Sequence, residues 1–305
     1  MGLSAARMTF GTPCEAIKQP LRRNTHAGLS RRVRLGHTVA RMTEAPWLKA
    51  DGSFRCFFCE TPKDTKGRQR DPDSWHVGLR ESHQLLVSRP LPNGDQWTFE
   101  PVRGWYLKNL EPSENEPDEW SLGSDNFATT HTNSLPDFAA AIPGYANGHV
   151  HEFCTIGGYI VFPNGLAHTR PTTQRARRWT LNQARGCDRQ VSDRFDLTLE
   201  AIRLYFAGIT VRAENPLGDV MDAYGWFFDC FGQGSEGFEA YVDYFFLDPF
   251  IAEGRVRPLY RGSLNFADAL PRDASQYHSY IQEQRQAVGQ RNDLIAQWWA
   301  TMPSA

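Results

Sequence analysis

The residues most able to do chemistry stand between 182 and 206. Placed on a helix at about 100° per residue, Asp193, Asp196, Glu200 and Arg203 fall on one narrow stripe. Phe195, Leu199, Ile202 and Phe206 flank it on one side, and Leu197 and Leu204 on the other. A surface helix carries one apolar face and a broad polar one, so charges bordered by apolar residues on both sides are expected to be partly buried. Desolvation costs several kcal/mol per ion, and such charges must therefore pair or bind something. Arg185, Arg189 and Arg194 are the nearest cations in sequence. Two arrangements satisfy the requirement. One is a salt-bridge network tying the helix to the loop before it. The other is a polar cavity in which Asp196 or Glu200 acts as a base or binds a cation, while Arg185 and Arg203 contact an anion.

Two further features fit the second arrangement. Asn182-Gln183-Ala184-Arg185-Gly186 sets an amide, a guanidinium and flexible backbone just before a helix N-terminus, a place that favours phosphate or carboxylate. Gly157-Gly158 centres a strand-like run, where a bulge or a close backbone approach is expected. The catalytic candidates are thus Asp196 and Glu200. Gly157, Gly158, Asn182, Gln183, Arg185 and Arg203 are the ligand contacts, and an enzyme or enzyme-like domain taking a small anion of the nucleotide class is the leading reading. The competing one is a non-catalytic interaction protein whose charged stripe only holds the fold together, with exposed aromatics as its contact surface.

Metal chemistry has two partial signatures. His149 and His151 share a face of an extended chain, with Glu152 and Cys154 on the opposite one. Cys56-Phe57-Phe58-Cys59 lacks a second pair and sits in an aromatic run, where Cys serves as a small apolar residue. A structural zinc site takes four ligands. Neither group supplies four, so no metal site and no cofactor are assigned. Serine-hydrolase, zinc-protease and zinc-deaminase readings find no support, since G-x-S-x-G, H-E-x-x-H and H-x-E with P-C-x-x-C are absent from the sequence.

These groups must be positioned by a core, and the composition provides one. Apolar residues make up 40% and charged residues 22% of the 305 residues, ordinary for a globular chain. The 19 Phe, 10 Tyr and 9 Trp foretell an aromatic interior. Short aromatic runs at Phe54–Phe58, Leu85-Leu86-Val87, Trp97-Thr98-Phe99, Trp105-Tyr106-Leu107 and Glu152–Phe162 read as strands. The Asn93-Gly94 turn sits in a hairpin, and Glu111–Glu119 forms an acidic surface loop. Beyond Arg185 the period turns helical. Helices are predicted over 192–207, over a stretch from Asn215-Pro216 to Gly232, around Phe238–Phe246, and from Asp273 onward, where Asp-x-x-Gln makes a capping arrangement. The expected class is therefore α+β, a strand-rich N-terminal half (about 50–165) packed against a helical C-terminal half (about 190–300), forming a single domain over 42–305.

Residues 1–41 stand apart. Arg7, Lys18, Arg22, Arg23, Arg31, Arg32, Arg34 and Arg41 face one acid, Glu15, in a chain that totals 33 Lys and Arg against 35 Asp and Glu. This basic extension is expected to be disordered. It reads as a transit peptide, a polyanion-binding arm or, since Met42 opens an ordinary start, a stretch outside the native protein. The body is acidic, so nucleic acid is an expected partner only through residues 1–41. Six scattered cysteines, with no signal peptide, read as reduced thiols, and no apolar run approaches membrane-spanning length. A cytoplasmic protein without membrane partners is the expectation.

Three segments taken together resemble a bacterial family known as a domain of unknown function and common in actinobacteria. They are Thr155-Ile156-Gly157-Gly158-Tyr159-Ile160-Val161-Phe162-Pro163, Leu181-Asn182-Gln183-Ala184-Arg185-Gly186, and Asp193-Arg194-Phe195-Asp196-Leu197-Thr198-Leu199-Glu200-Ala201-Ile202-Arg203. Asp71 to Gly94 is similar to that family's opening region. The likeness covers most of 55–300 and implies no activity. Members usually open plainly where this chain carries Cys56 and Cys59.

Overall fold

A computed structural model of the chain describes residues 45–70, 72, 76–100, 104–108, 119–126, 150–166, 194–268 and 273–302. The basic extension, the acidic loop after Glu111 and the loop Asn182–Gly186 lie outside them. The described chain is mostly helical, which corrects the α+β expectation of a strand-rich first half. Phe57–Glu60 is a helical turn (α1), and Leu85 and Leu86 end a ten-residue helix, Val77–Leu86 (α2). Val150–Phe153 (α3) and a 3-10 turn over Ile156–Gly158 replace the first part of the expected Glu152–Phe162 strand. The physical reason is that a short apolar run has the same appearance in a buried helix as in a buried strand, and aromatic β-propensity yields to packing.

Strand structure in the first half gathers into one antiparallel sheet in the order β1-β2-β3-β4. Its members are Trp97–Glu100, Gly104–Lys108, Glu119–Asn126 and Tyr159–Leu166. Trp97 opposes Leu107 across β1 and β2, and Asn126 opposes Tyr159 across β3 and β4. Asn93-Gly94 does turn the chain, with Gly94 at φ +91°, but it links α2 to β1 instead of joining two strands.

The helical half follows the predicted periods more closely. Phe195–Phe206 is α4. The long helix expected after Pro216 is broken into Gly218–Ala223 (α5), Gly225–Phe228 (α6) and a 3-10 turn that stops at Gly232, φ +94°. Gly234–Tyr244 forms α7. A two-residue hairpin, β5 (Ile251–Ala252) with β6 (Arg255–Val256), turns at Glu253-Gly254. The last helix, α8, runs Ala274–Thr301 and is capped by Asp273, whose carboxylate accepts from the Gln276 amide at 2.9 Å.

One aromatic core joins α4, α6, α7 and α8 to the sheet, with Trp97 stacked on Phe227 at 5.8 Å. A second cluster gathers Trp47, Phe57, Leu79, Ile156 and Tyr159 against Ile295 near the end of α8. Between the two, α8 clamps the Gly157-Gly158 turn. The Asn292 side chain accepts from the Gly157 amide at 2.6 Å and donates to the Thr155 hydroxyl at 2.9 Å. Buried Arg291 donates to the carbonyls of Gly157 (2.8 Å), Tyr159 (2.7 Å), Ile156 (3.2 Å) and Phe245 (2.9 Å). Burial draws its guanidinium down to about 9, so it is still a cation at neutral pH, held by carbonyl dipoles. The glycines are required by this contact. A Cβ at Gly157 would stand 2.4 Å from the Val288 carbonyl oxygen, and one at Gly158 would stand 1.9 Å from that of Phe153. The close approach expected at this pair is made by the chain itself.

Two stability predictions follow from this packing. Gly157→Ala is expected to lose about 1–3 kcal/mol or more in urea unfolding, because the added methyl meets backbone. Buried His83, which shares a 3.0 Å hydrogen bond with the Ser124 hydroxyl, is held down to about 3 by burial and secondarily by Arg291. Its folded-state value lies below the ordinary 6.5, so the neutral form favours folding and stability falls as pH drops from about 6.5 toward 3. In His83→Gln the loss of stability between pH 7 and pH 5 is expected to be smaller than in the unaltered chain.

Candidate metal centre

Asp196, the middle of the charged stripe, is fully buried between its apolar flanks, the Glu200 side chain is 13% exposed and that of Arg203 34%. These three charges are paired within the protein. Arg194, just before α4, grips Asp196 with two parallel bonds of 2.8 Å, and the second Asp196 oxygen also accepts from the Leu259 amide at 2.9 Å. The same guanidinium reaches the Ser263 carbonyl at 3.3 Å and lies over the Tyr260 ring at 5.0 Å. Its ion pair with Asp196 raises its proton affinity against the opposing pull of burial. One turn on, Arg203 holds Glu200 through bonds of 2.8 and 2.7 Å, and that contact raises the Arg203 value.

These contacts bear on the sequence-predicted site residues one by one. Asp196 and Glu200 each accept a bidentate guanidinium, the arrangement that fastens a carboxylate in place. Gly157 and Gly158 are packed beneath α8 and Phe153. Asn182, Gln183 and Arg185 lie outside the described residues, as do Arg189 and Asp193. Of the cations named as partners for the stripe, Arg194 lies among the described residues and is joined to Asp196. A cavity of about 10 Å³ between His83, Val161, Tyr244 and Arg291 has room for one water at most.

A different set of groups converges at the second core cluster. Cys56 caps α1, and its sulfur accepts from the Cys59 amide at 3.4 Å. The Phe57 amide donates to the Cys154 carbonyl at 2.8 Å, which sets α1 against the end of α3. That docking brings in His151 from 92 residues away in sequence. Its Nδ1 lies 2.8 Å from the Cys59 Sγ and 3.6 Å from the Cys56 Sγ, and the two sulfurs are 2.8 Å apart. All three donor atoms fall within 4.8 Å of one another. Burial lowers the His151 value, which favours the neutral ring with a lone pair to offer. Cys56 is buried and Cys59 is exposed, so the group opens to solvent on one side.

The sides of 2.8, 2.8 and 3.6 Å leave a point near 2.2 Å from all three atoms, about the length of Zn–S and Zn–N bonds, but the sulfurs would subtend roughly 80° there, so a tetrahedral ion requires them to part by roughly 1 Å. Neighbouring groups are otherwise engaged. Glu152 pairs with Arg285, and Glu60 pairs with Arg55 at 2.8 Å while standing 3.8 Å from His76. Sequence reading found Cys56-x-x-Cys59 and His151 separately and assigned neither, because only the fold joins them.

The matching family model covers residues 57–295 and is described as a family of unknown function, DUF6994. The chain belongs to this family. No curated protein and no solved structure matches it. The DUF6994 match takes in Cys59, His151, the α4 stripe and the Arg291–Asn292 clamp, and the family brings no assigned activity to any of them. Among the described residues, no helix is long and apolar enough to cross a membrane.

The two ion pairs on α4 predict contrasting mutational costs. Arg194→Ala removes the bidentate partner of a fully buried carboxyl, and is expected to lose about 3–5 kcal/mol in urea unfolding. Arg203→Ala, on a partly exposed pair, is expected to lose less than about 1 kcal/mol.

Proposed function

We propose that this chain is a metal-binding protein that holds a thiophilic divalent ion, zinc in the first instance, between Cys56, Cys59 and His151, and that the α4 stripe serves the fold. The single observation that supports the first part is the convergence of two thiols of the α1 turn and an imidazole nitrogen of α3 to within 4.8 Å of one another. Thiolate and imidazole donors select zinc over magnesium or calcium, which take oxygen ligands. Three protein ligands with a solvent-facing side leave a fourth position for water. Such an ion would rivet α1 to α3, adding to the fold the free energy of its own binding.

The small-anion reading has less to stand on. Its described members, Asp196, Glu200, Arg203, Gly157 and Gly158, are all engaged by the chain's own groups. A partner for the basic residues 1–41 gains no support from the described structure either.

The test is metal analysis of the full chain, expressed with zinc and desalted. About one zinc ion per chain is expected, falling by most of its amount in Cys59→Ser and in His151→Ala. Cys230→Ser serves as the control, since that thiol is buried elsewhere and donates to the Trp226 carbonyl at 3.2 Å. Equal zinc in all four proteins would end the proposal. A chelator is expected to lower the melting temperature of the unaltered protein and leave that of His151→Ala unmoved.

A further inference from the structure

We infer that Cys56 and Cys59 form a redox pair that exchanges with small-molecule disulfides, with Cys59 attacking first and Cys56 resolving, and that closing their bond expels the ion. Expulsion rests on the metal-binding reading, whereas the bond itself does not.

Three observations carry the inference. The sulfurs are 2.8 Å apart, so an approach of less than about 1 Å reaches disulfide bonding distance. They lie on one turn, Cys56 as cap and Cys59 within α1, which lets them meet without unwinding the surrounding core. Their exposure differs. Cys59 is open to solvent, and Cys56 is buried behind it, an asymmetry that assigns entry of the oxidant to one sulfur and resolution to the other.

The chemistry balances with a small disulfide, such as oxidised glutathione, as the named oxidant. The Cys59 thiolate attacks one sulfur of that disulfide, a mixed disulfide forms, and one small thiolate leaves. The Cys56 thiolate then attacks the Cys59 sulfur and displaces the second small thiolate. Two electrons pass from the protein to the small disulfide; in the metal-free chain the two cysteine protons end on the two small thiols, and in the zinc-loaded chain the two leaving thiolates take protons from solvent as the ion departs. With both sulfurs bonded to each other, His151 alone remains as a strong ligand, and one imidazole does not retain zinc. The Phe57–Cys154 backbone bond is then left to hold α1 against α3.

The experiment treats the reduced, zinc-equilibrated full chain with oxidised glutathione and follows two readouts. The first is the tryptic peptide Cys56–Lys63, which carries both sulfurs and is expected to lose two hydrogens. The second is zinc released to a chromogenic indicator, expected to rise in step with that loss. Two variants identify the attacking sulfur. Cys56→Ser is expected to trap glutathione on Cys59, at least about tenfold faster than Cys59→Ser traps it on Cys56. A peptide that stays a dithiol under oxidant, or trapping favoured at Cys56, overturns the inference. A peptide disulfide forming in a protein that never held zinc upholds the redox pair and removes the metal-binding reading.

Discussion

The structure depends on one helix closing over a turn that has no side chains to spare. The Gly157-Gly158 backbone comes so close to α8 that hydrogen bonds replace apolar packing there, with Asn292 and Arg291 as the partners. A buried guanidinium would ordinarily be costly. Here four carbonyl oxygens substitute for the water it has left. Arg89, half-buried, donates to Leu86 and lies over the rings of Tyr244, Phe246 and Trp298. These two cations meet backbone oxygen and ring faces, and they fix α8 against α2 and α7.

The same closure sets the metal-ligating group. His151 lies on α3, four residues before the clamp begins at Thr155, and its neighbour Glu152 is tied to Arg285 of α8. Cys56 and Cys59 reach the site through α1, whose docking on Cys154 depends on the turn that follows. The donors therefore stand on short helices of four residues each, and their spacing is imposed by a long helix that supplies none of them. Propensity alone would not hold such short helices in place.

How much of this was legible in the sequence varies with the range of the interaction. Local signals held well: the α4 period, the Asp273 cap and the apolar flanks of the stripe all depend on residues within a few positions of one another. Burial of Asp196 followed from those flanks, and Arg194 stood among its nearest cations. The strand-rich first half failed because Leu85-Leu86-Val87 and Phe54–Phe58 are too short for periodicity to separate helix from strand. The Gly157-Gly158 pair signalled a close approach without saying whose. Cys56, Cys59 and His151 were each visible, yet a ligand set assembled across 92 residues leaves no spacing to read. Only the fold supplies that information.

The position of the clamp within the chain has a consequence for biogenesis. Thr155, Gly157 and Tyr159 are synthesised well over a hundred residues before Arg291 and Asn292. At about 5–20 residues per second on a ribosome, this turn waits on the order of ten seconds for its partner. Through that interval the nascent polypeptide has its cysteine pair and its histidine but not the helix that spaces them, so the ordering of the early segments is governed by a stretch translated long after them.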